Sequence, residues 1–144
     1  MSGPALTADV VLLAGEPAGS VLLIERGNEP FKGSWALPGG FVESDERVHD
    51  AALRELSEET GISLDADLSL LGVYDTPGRD PRGPTVSVTY VHRCAIELPA
   101  TGGDDAARAR WFALDSLPPL AFDHEVIVAA AAQWSADLAE RRAG

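Results

Sequence analysis

The chain has 144 residues and carries 23 acidic against 11 basic side chains, a formal net charge of -12. That length favours one domain over 1–144, large enough for a real core, and a surface this acidic repels nucleic acid, so no polynucleotide partner is expected. Cys94 is the only cysteine, which excludes an intrachain disulfide or a thiolate metal cluster and leaves it as a small buried hydrophobe. No apolar run approaches the roughly 18 residues of a membrane span, so no membrane association is expected.

The N-terminal run MSGPALTADVVLLAG has no basic segment ahead of its apolar stretch. It reads as a first strand, Leu6 to Ala14, rather than an export signal, and a cytoplasmic address is the expectation. Gly15-Glu16-Pro17-Ala18-Gly19 supplies turn residues for a hairpin into a second strand, Val21 to Arg26. A first helix is predicted from about Asp45 to Thr60, with Ser44 as its cap, Asp45 and Glu46 on the positive end of its dipole and Gly61 as a left-handed stop. Aliphatic and β-branched runs then predict strands at Leu68 to Tyr74, Thr85 to Leu98 and Arg110 to Leu114. A second helix opens at the cap Asp123 and runs from His124 to Arg141, with Val126, Ile127, Ala130, Trp134 and Leu138 on its apolar stripe. Trp35, Trp111 and Trp134 are expected to anchor the core. His49 and His92 share no metal-ligand spacing and are read as structural, while His124 is left open. The fold class is α/β: a mixed sheet with one helix packed on each face, an α/β/α sandwich.

A projection of the first helix at about 100° per residue separates Glu46, Asp50, Arg54 and Ser57 on one side from Val48, Ala51 and Ala52 on the other. Glu55, Glu58 and Glu59 project along the second side, so the inward face turns from small and apolar to anionic. Like charges three and four residues apart repel, and facing the sheet adds desolvation. A bound cation would relieve both, and oxygen ligands without His or Cys point to a hard metal, Mg2+ or Mn2+, that gathers substrate phosphates. An exposed, charge-rich helix is the alternative.

Gly40, Glu46 six residues on, Arg54 eight after that, then Glu55, Leu56, Glu58, Glu59, Gly61 and Ile62 match every fixed position of the Nudix box. The chain resembles the Nudix hydrolase family over nearly its whole length, which implies a metal-dependent hydrolase of a nucleoside diphosphate linked to another group. By motif position the resemblance implies Glu55, Glu58, Glu59 and the backbone carbonyl of Gly39 as metal ligands. Glu58 and Glu59 are then catalytic, and Arg54 holds a carboxylate by a charge-assisted hydrogen bond. Glu46 either supports helix and loop or serves as a first-turn dipole partner. The general base is expected on a mobile loop, and Thr101-Gly102-Gly103-Asp104-Asp105 offers Asp104 and Asp105, with a solvated turn as the alternative.

Outside the box, Pro77 stands fifteen residues beyond Ile62, a spacing that resembles the ADP-ribose pyrophosphatases. The runs from Arg26 to Trp35 and from Ala121 to His124 resemble that subgroup too. A loop stiffened by Pro77, Pro81 and Pro84 would present Arg79 and Arg82 to a phosphate or ribose, or else form a rigid solvent loop. Arg26 and Phe31 complete the expected substrate site, and Phe31, Tyr74 and Phe122 could stack on adenine or pack in the core. The implied reaction is Mg2+-dependent cleavage of ADP-ribose to AMP and ribose 5-phosphate, and the family analogy implies a homodimer. Removal of pyrophosphate from a noncanonical nucleoside triphosphate is the alternative reaction, against which the loop around Pro77 argues. A non-catalytic ADP-ribose sensor is the other, against which the intact glutamates argue.

Overall fold

Side chains along β1 (Ala5–Ala14) alternate between two buried faces. Ala8, Val10 and Leu12 pack with Ala51, Ala52 and Leu56 of helix α1 (Val48–Thr60). Val11 and Leu13 pack with Val91, Ile127, Val128 and Ala131 on the side of helix α2 (His124–Ala143). Burial on both faces explains why this strand reads as a nearly continuous apolar run. The computed structural model describes residues 3–103 and 106–143. The remaining elements are β2 (Ser20–Arg26), β3 (Trp35–Ala36), β4 (Gly39–Phe41), β5 (Ser69–Tyr74), β6 (Thr85–Cys94) and β7 (Ala106–Ala113).

One mixed sheet joins all the strands in the order β3-β2-β1-β6-β5, with β4 added on β1 and β7 on β2. The β1–β6 pairing is parallel over its full length, and the other pairs are antiparallel. A helix on each face completes the expected sandwich. One side of β1 is divided between two partners: Leu13 and Ala14 pair with the start of β2, whereas Thr7, Ala8 and Asp9 pair with β4. A cleft lies at this edge, lined by Thr7 and Asp9 of β1, Ile24 and Arg26 of β2 and residues 39–41 of β4. No helix among the described residues is long and apolar enough to cross a membrane.

α1 departs from expectation at its N-terminus, whereas α2 opens at His124 as expected. α1 begins at Val48, not Asp45, and its cap position is Arg47 in extended conformation with no side-chain bond, not Ser44. Residues 43–46 form a separate turn: the Glu46 N–H donates to the Glu43 carbonyl at 3.1 Å, and the Glu43 N–H donates to Glu46 Oε1 at 3.2 Å. Glu46 therefore reaches back across the turn instead of lining the helix. The stop at Gly61 is as expected, at φ 75° with its N–H on the Ser57 carbonyl. In α2 the inward stripe is rotated: Val126 is 64% exposed, and Val128, Ala131 and Ser135 are buried in its place alongside Ile127. The Asp123 carboxylate accepts bonds from Arg79 instead of capping α2. The three tryptophans are partly buried at the margins of the two cores, and Cys94 is a free, buried thiol.

Candidate active site

The first wall of the cleft is the edge where β4 meets α1. Gly39 and Gly40 run directly beneath two glutamates of the helix. The Gly39 N–H donates to Glu59 Oε1 at 2.8 Å, and a Cβ at Gly40 would stand 2.6 Å from the Glu55 carboxyl carbon. Any side chain at position 40 would therefore displace Glu55, which is the physical reason for glycine there. On its other side the Gly39 Cα lies against the Asp9 carboxylate of β1.

Arg54 supplies a cation inside this acidic stretch. Its Nε and Nη2 donate to Glu46 at 2.6 and 2.9 Å, and Nη1 donates to Glu55 at 2.8 Å and to Glu58 at 3.1 Å. Nη2 also donates to the Phe41 carbonyl at 3.2 Å, tying α1 to β4. These bonds hold the Glu46 carboxyl below its ordinary range, chiefly through the Arg54 hydrogen bond, and push the guanidinium further up. The expectation that all three glutamates turn inward is corrected here. Glu59 is buried and Glu55 lines the cleft, but Glu58 is 39% exposed and rests on Arg54 four residues earlier, on the helix's outer edge. Among the described residues, no three His, Cys, Asp or Glu side chains stand together as a ready-made metal site. Part of the repulsion that called for a metal is thus met by Arg54.

The opposite wall is the loop 75–84 together with the segment that opens α2. Arg79 and Arg82 are anchored, each by a bidentate carboxylate. Arg79 donates to Asp123 at 2.9 and 2.6 Å and is only 4% exposed, so it straps the loop to α2. Arg82 donates to Asp80 at 3.1 and 2.8 Å and remains 44% exposed at the cleft. Burial pushes the Asp80 carboxyl up, but the Arg82 bonds outweigh it and leave the group below its ordinary value. The Arg82 guanidinium stands 5.2 Å from the Phe41 ring and 5.9 Å from Phe122, whose ring also takes Arg26 at 5.0 Å. Phe31 meets Phe122 edge-on at 4.8 Å. Both phenylalanines adopt positive φ, 61° and 54°, a conformation costly for a bulky side chain.

The floor is polar and buried. Asp9 is 7% exposed; it accepts a short hydrogen bond from Ser87 Oγ and a long one, 3.5 Å, from Thr7 Oγ1. Because the Ser87 proton goes to Asp9, the 2.8 Å contact with Thr89 is a bond that Thr89 donates. His124 closes the floor from α2, with its Nδ1 accepting the Leu37 N–H at 3.0 Å. Burial pushes this imidazole below its ordinary value, despite the opposing pull of Asp9 and Asp123.

The cleft has a volume of about 450 Å³ and is lined by Gly39, Arg54, Glu55 and Glu59 together with Arg26, Arg79 and Arg82. Residues as distant in sequence as Asp9 and His124 are thus gathered at one place. Glu58 and Phe31 do not line it. Asp104 and Asp105 lie outside the described residues; Gly103, just before them, packs against the Glu58 carbonyl. Among the lining residues that the sequence reading did not point to are Asp9 and Asp80, and His124, left open there, takes a place in the floor. A signal for Asp9 was present, since it shares the period-2 face of Val11 and Leu13 and is the one charged residue in that strand.

With this geometry in hand, the family relationship is direct. Residues 3–131 match the NUDIX domain model. An ADP-ribose pyrophosphatase of Methanocaldococcus jannaschii is 48% identical over 91% of this chain and 75% of its own length. The Nudix domain of Shewanella oneidensis NrtR, solved in complex with ADP-ribose, superposes with a TM-score of 0.85 at 31% identity, covering 93% of this chain and 90% of that one. A bifunctional NMN adenylyltransferase/ADP-ribose pyrophosphatase of Francisella tularensis, solved with AMP and a Mn ion, gives a TM-score of 0.81 at 29% identity over 94% of this chain and 43% of that one. The glycine pair set beneath two glutamates of one helix is therefore the Nudix box in its folded form, and the chain belongs to the Nudix hydrolase family.

Proposed function

We propose that this protein hydrolyses ADP-ribose to AMP and ribose 5-phosphate in the presence of Mg2+, with Mn2+ able to substitute. The observation that carries the reading is the two-walled cleft, in which Glu55 and Glu59 face a proline loop presenting Arg82, with Arg26 alongside. The 48% identity to an ADP-ribose pyrophosphatase supports the same substrate.

The donors suit a hard divalent cation in kind. Glu55, Glu59 and the Gly39 carbonyl offer only oxygen, and the absent side chain at Gly40 leaves room over the Glu55 carboxylate. Glu58 is the third carboxylate of the motif, held on Arg54 at the neighbouring edge. When bound, the cation would neutralise pyrophosphate oxygens and lower the pKa of a water. The chain's own groups do the rest. Arg54 orients the Glu55 carboxylate and the Gly39 N–H orients Glu59, so both ligands are fixed before substrate arrives. Asp80 holds the Arg82 guanidinium in one plane, leaving its outer edge for a phosphate or ribose oxygen. Water adds its hydroxide to one phosphorus, the bridging P–O bond breaks, and the departing phosphate leaves as the second monoester.

The test is a panel over ADP-ribose, NADH, diadenosine polyphosphates and nucleoside triphosphates with Mg2+ present, in which the nucleoside monophosphate formed is separated and quantified by chromatography. ADP-ribose should give the highest kcat/KM. A triphosphate that beats it tenfold, about 1.4 kcal/mol of transition-state stabilisation, would overturn the substrate and leave the family intact.

A further inference from the structure

The glycine pair works only if its backbone is held still, and the structure shows how that is done. β3 ends at Ala36 and β4 begins at Gly39, so Leu37 and Pro38 lie in the gap between two ladders. A buried N–H in such a gap needs a partner from elsewhere. Leu37 is 3% exposed, and its N–H donates to His124 Nδ1 at 3.0 Å. The Pro38 carbonyl then accepts from the Val10 N–H at 2.9 Å, and the Gly39 N–H donates to Glu59 at 2.8 Å. Three successive residues are thus pinned by three different elements: α2, β1 and α1.

We propose that His124 is a positioning residue that sets the Gly39–Gly40 backbone against Glu55 and Glu59 from the far side of the sheet. The chemistry fixes its form: an amide can only donate, so Nδ1 must carry a lone pair and the ring proton must sit on Nε2. His124 is itself held on both sides. Its N–H donates to the Ala121 carbonyl at 3.2 Å, the Ala121 N–H donates to Trp35 at 2.8 Å, and the neighbouring Asp123 takes Arg79. The left-handed turn at Phe122 aims the imidazole back at Leu37. The inference rests on the proposed hydrolysis for its consequence in turnover, but the bond itself is testable without substrate.

The first measurement is made on the metal-free, 15N-labelled protein at neutral pH. Long-range proton–nitrogen spectra should show the Nε2–H tautomer, with coupling from His124 Nδ1 to the Leu37 nitrogen. An Nδ1–H tautomer or an imidazolium would overturn the proposal. The second compares His124→Asn, whose amide oxygen takes the place of Nδ1, with His124→Phe, which offers no acceptor. In His124→Phe the Gly39 amide should exchange with solvent at least tenfold faster, and kcat for ADP-ribose should fall tenfold or more with KM within threefold. His124→Asn should stay within threefold of wild type in all three. Equal impairment of both variants, or of neither, would refute the role. If the phenylalanine variant does not fold, His124→Gln replaces it, because its longer amide reaches the Nε2 position and should not rescue. Should wild type leave ADP-ribose intact, the functional reading fails, while tautomer and Gly39 exchange still decide the role of His124.

Discussion

The two faces of β1 handle polarity differently. Toward α1, Ala8, Val10 and Leu12 are apolar and fully buried. Toward α2, Val11 and Leu13 are apolar, but Asp9 and Thr7 before them are polar, and Thr85, Ser87 and Thr89 of β6 lie on the same buried surface. Nothing in the strand backbone demands this. Among the described residues no buried side-chain oxygen or nitrogen lacks a hydrogen bond, so the polar half of the face is fully satisfied yet gives little net stability. One face holds the fold together, and half of the other gives up apolar contact where the cleft opens.

That contrast can be broken most heavily on the apolar side. Leu12→Ala should cost about 3 to 4 kcal/mol in urea unfolding, because Leu12 is fully enclosed and leaves a cavity. Thr89→Val on the opposite face should cost only about 1 kcal/mol, the net worth of the bond to Ser87. On the active-site side, Glu59→Gln should lower turnover by roughly a hundredfold while the melting temperature holds, since the Gly39 N–H can still find an oxygen. Arg82→Ala should lower kcat/KM for ADP-ribose about tenfold and affect slow triphosphate turnover less.

The most gradual effect is a pH slope. His124 is held below its ordinary value of 6.5 by burial, so between its folded value and 6.5 the unfolded chain binds a proton that the folded chain refuses. Stability from this group is complete above 6.5 and falls as pH drops toward the folded value, by at most about 1.4 kcal/mol per pH unit. Urea titrations of wild type and His124→Asn should show that slope in the first and a flatter profile in the second.

β1 and β2 were legible because burial on both faces leaves an apolar run, and β6 because its buried positions alternate; together with the more exposed β5 they begin within a residue of expectation. β3 and β4 were not, because strands of two and three residues carry no periodicity, and β4 is mostly glycine. β7 starts four residues early, since Ala106 to Ala109 pair with β2 through backbone bonds that propensity does not record. At the site, the spacing of Glu55 and Glu59 was enough to place them. Glu58 went wrong because the projection treated Arg54 as a solvated charge, when the guanidinium collects carboxylates from both edges of the helix. Asp9 stood out as the lone charge of its strand, but its partner, like that of His124, lies some 80 residues away, beyond the reach of a local pattern.

The parallel pairing of β1 with β6 matches each residue with one 80 positions later in the chain. Bringing two such distant segments together exacts a loop-closure entropy that no local contact offsets in advance, so this step should be late and slow. Asp9 meets Ser87 only across that seam. The α1 carboxylates and Arg54 can associate within one short stretch of chain, whereas the floor of the cleft waits for the last long-range closure. Pulsed hydrogen exchange during refolding should accordingly protect the amides of α1 before those of β6. The hydrolase would then acquire its negative rim first and its binding depth last.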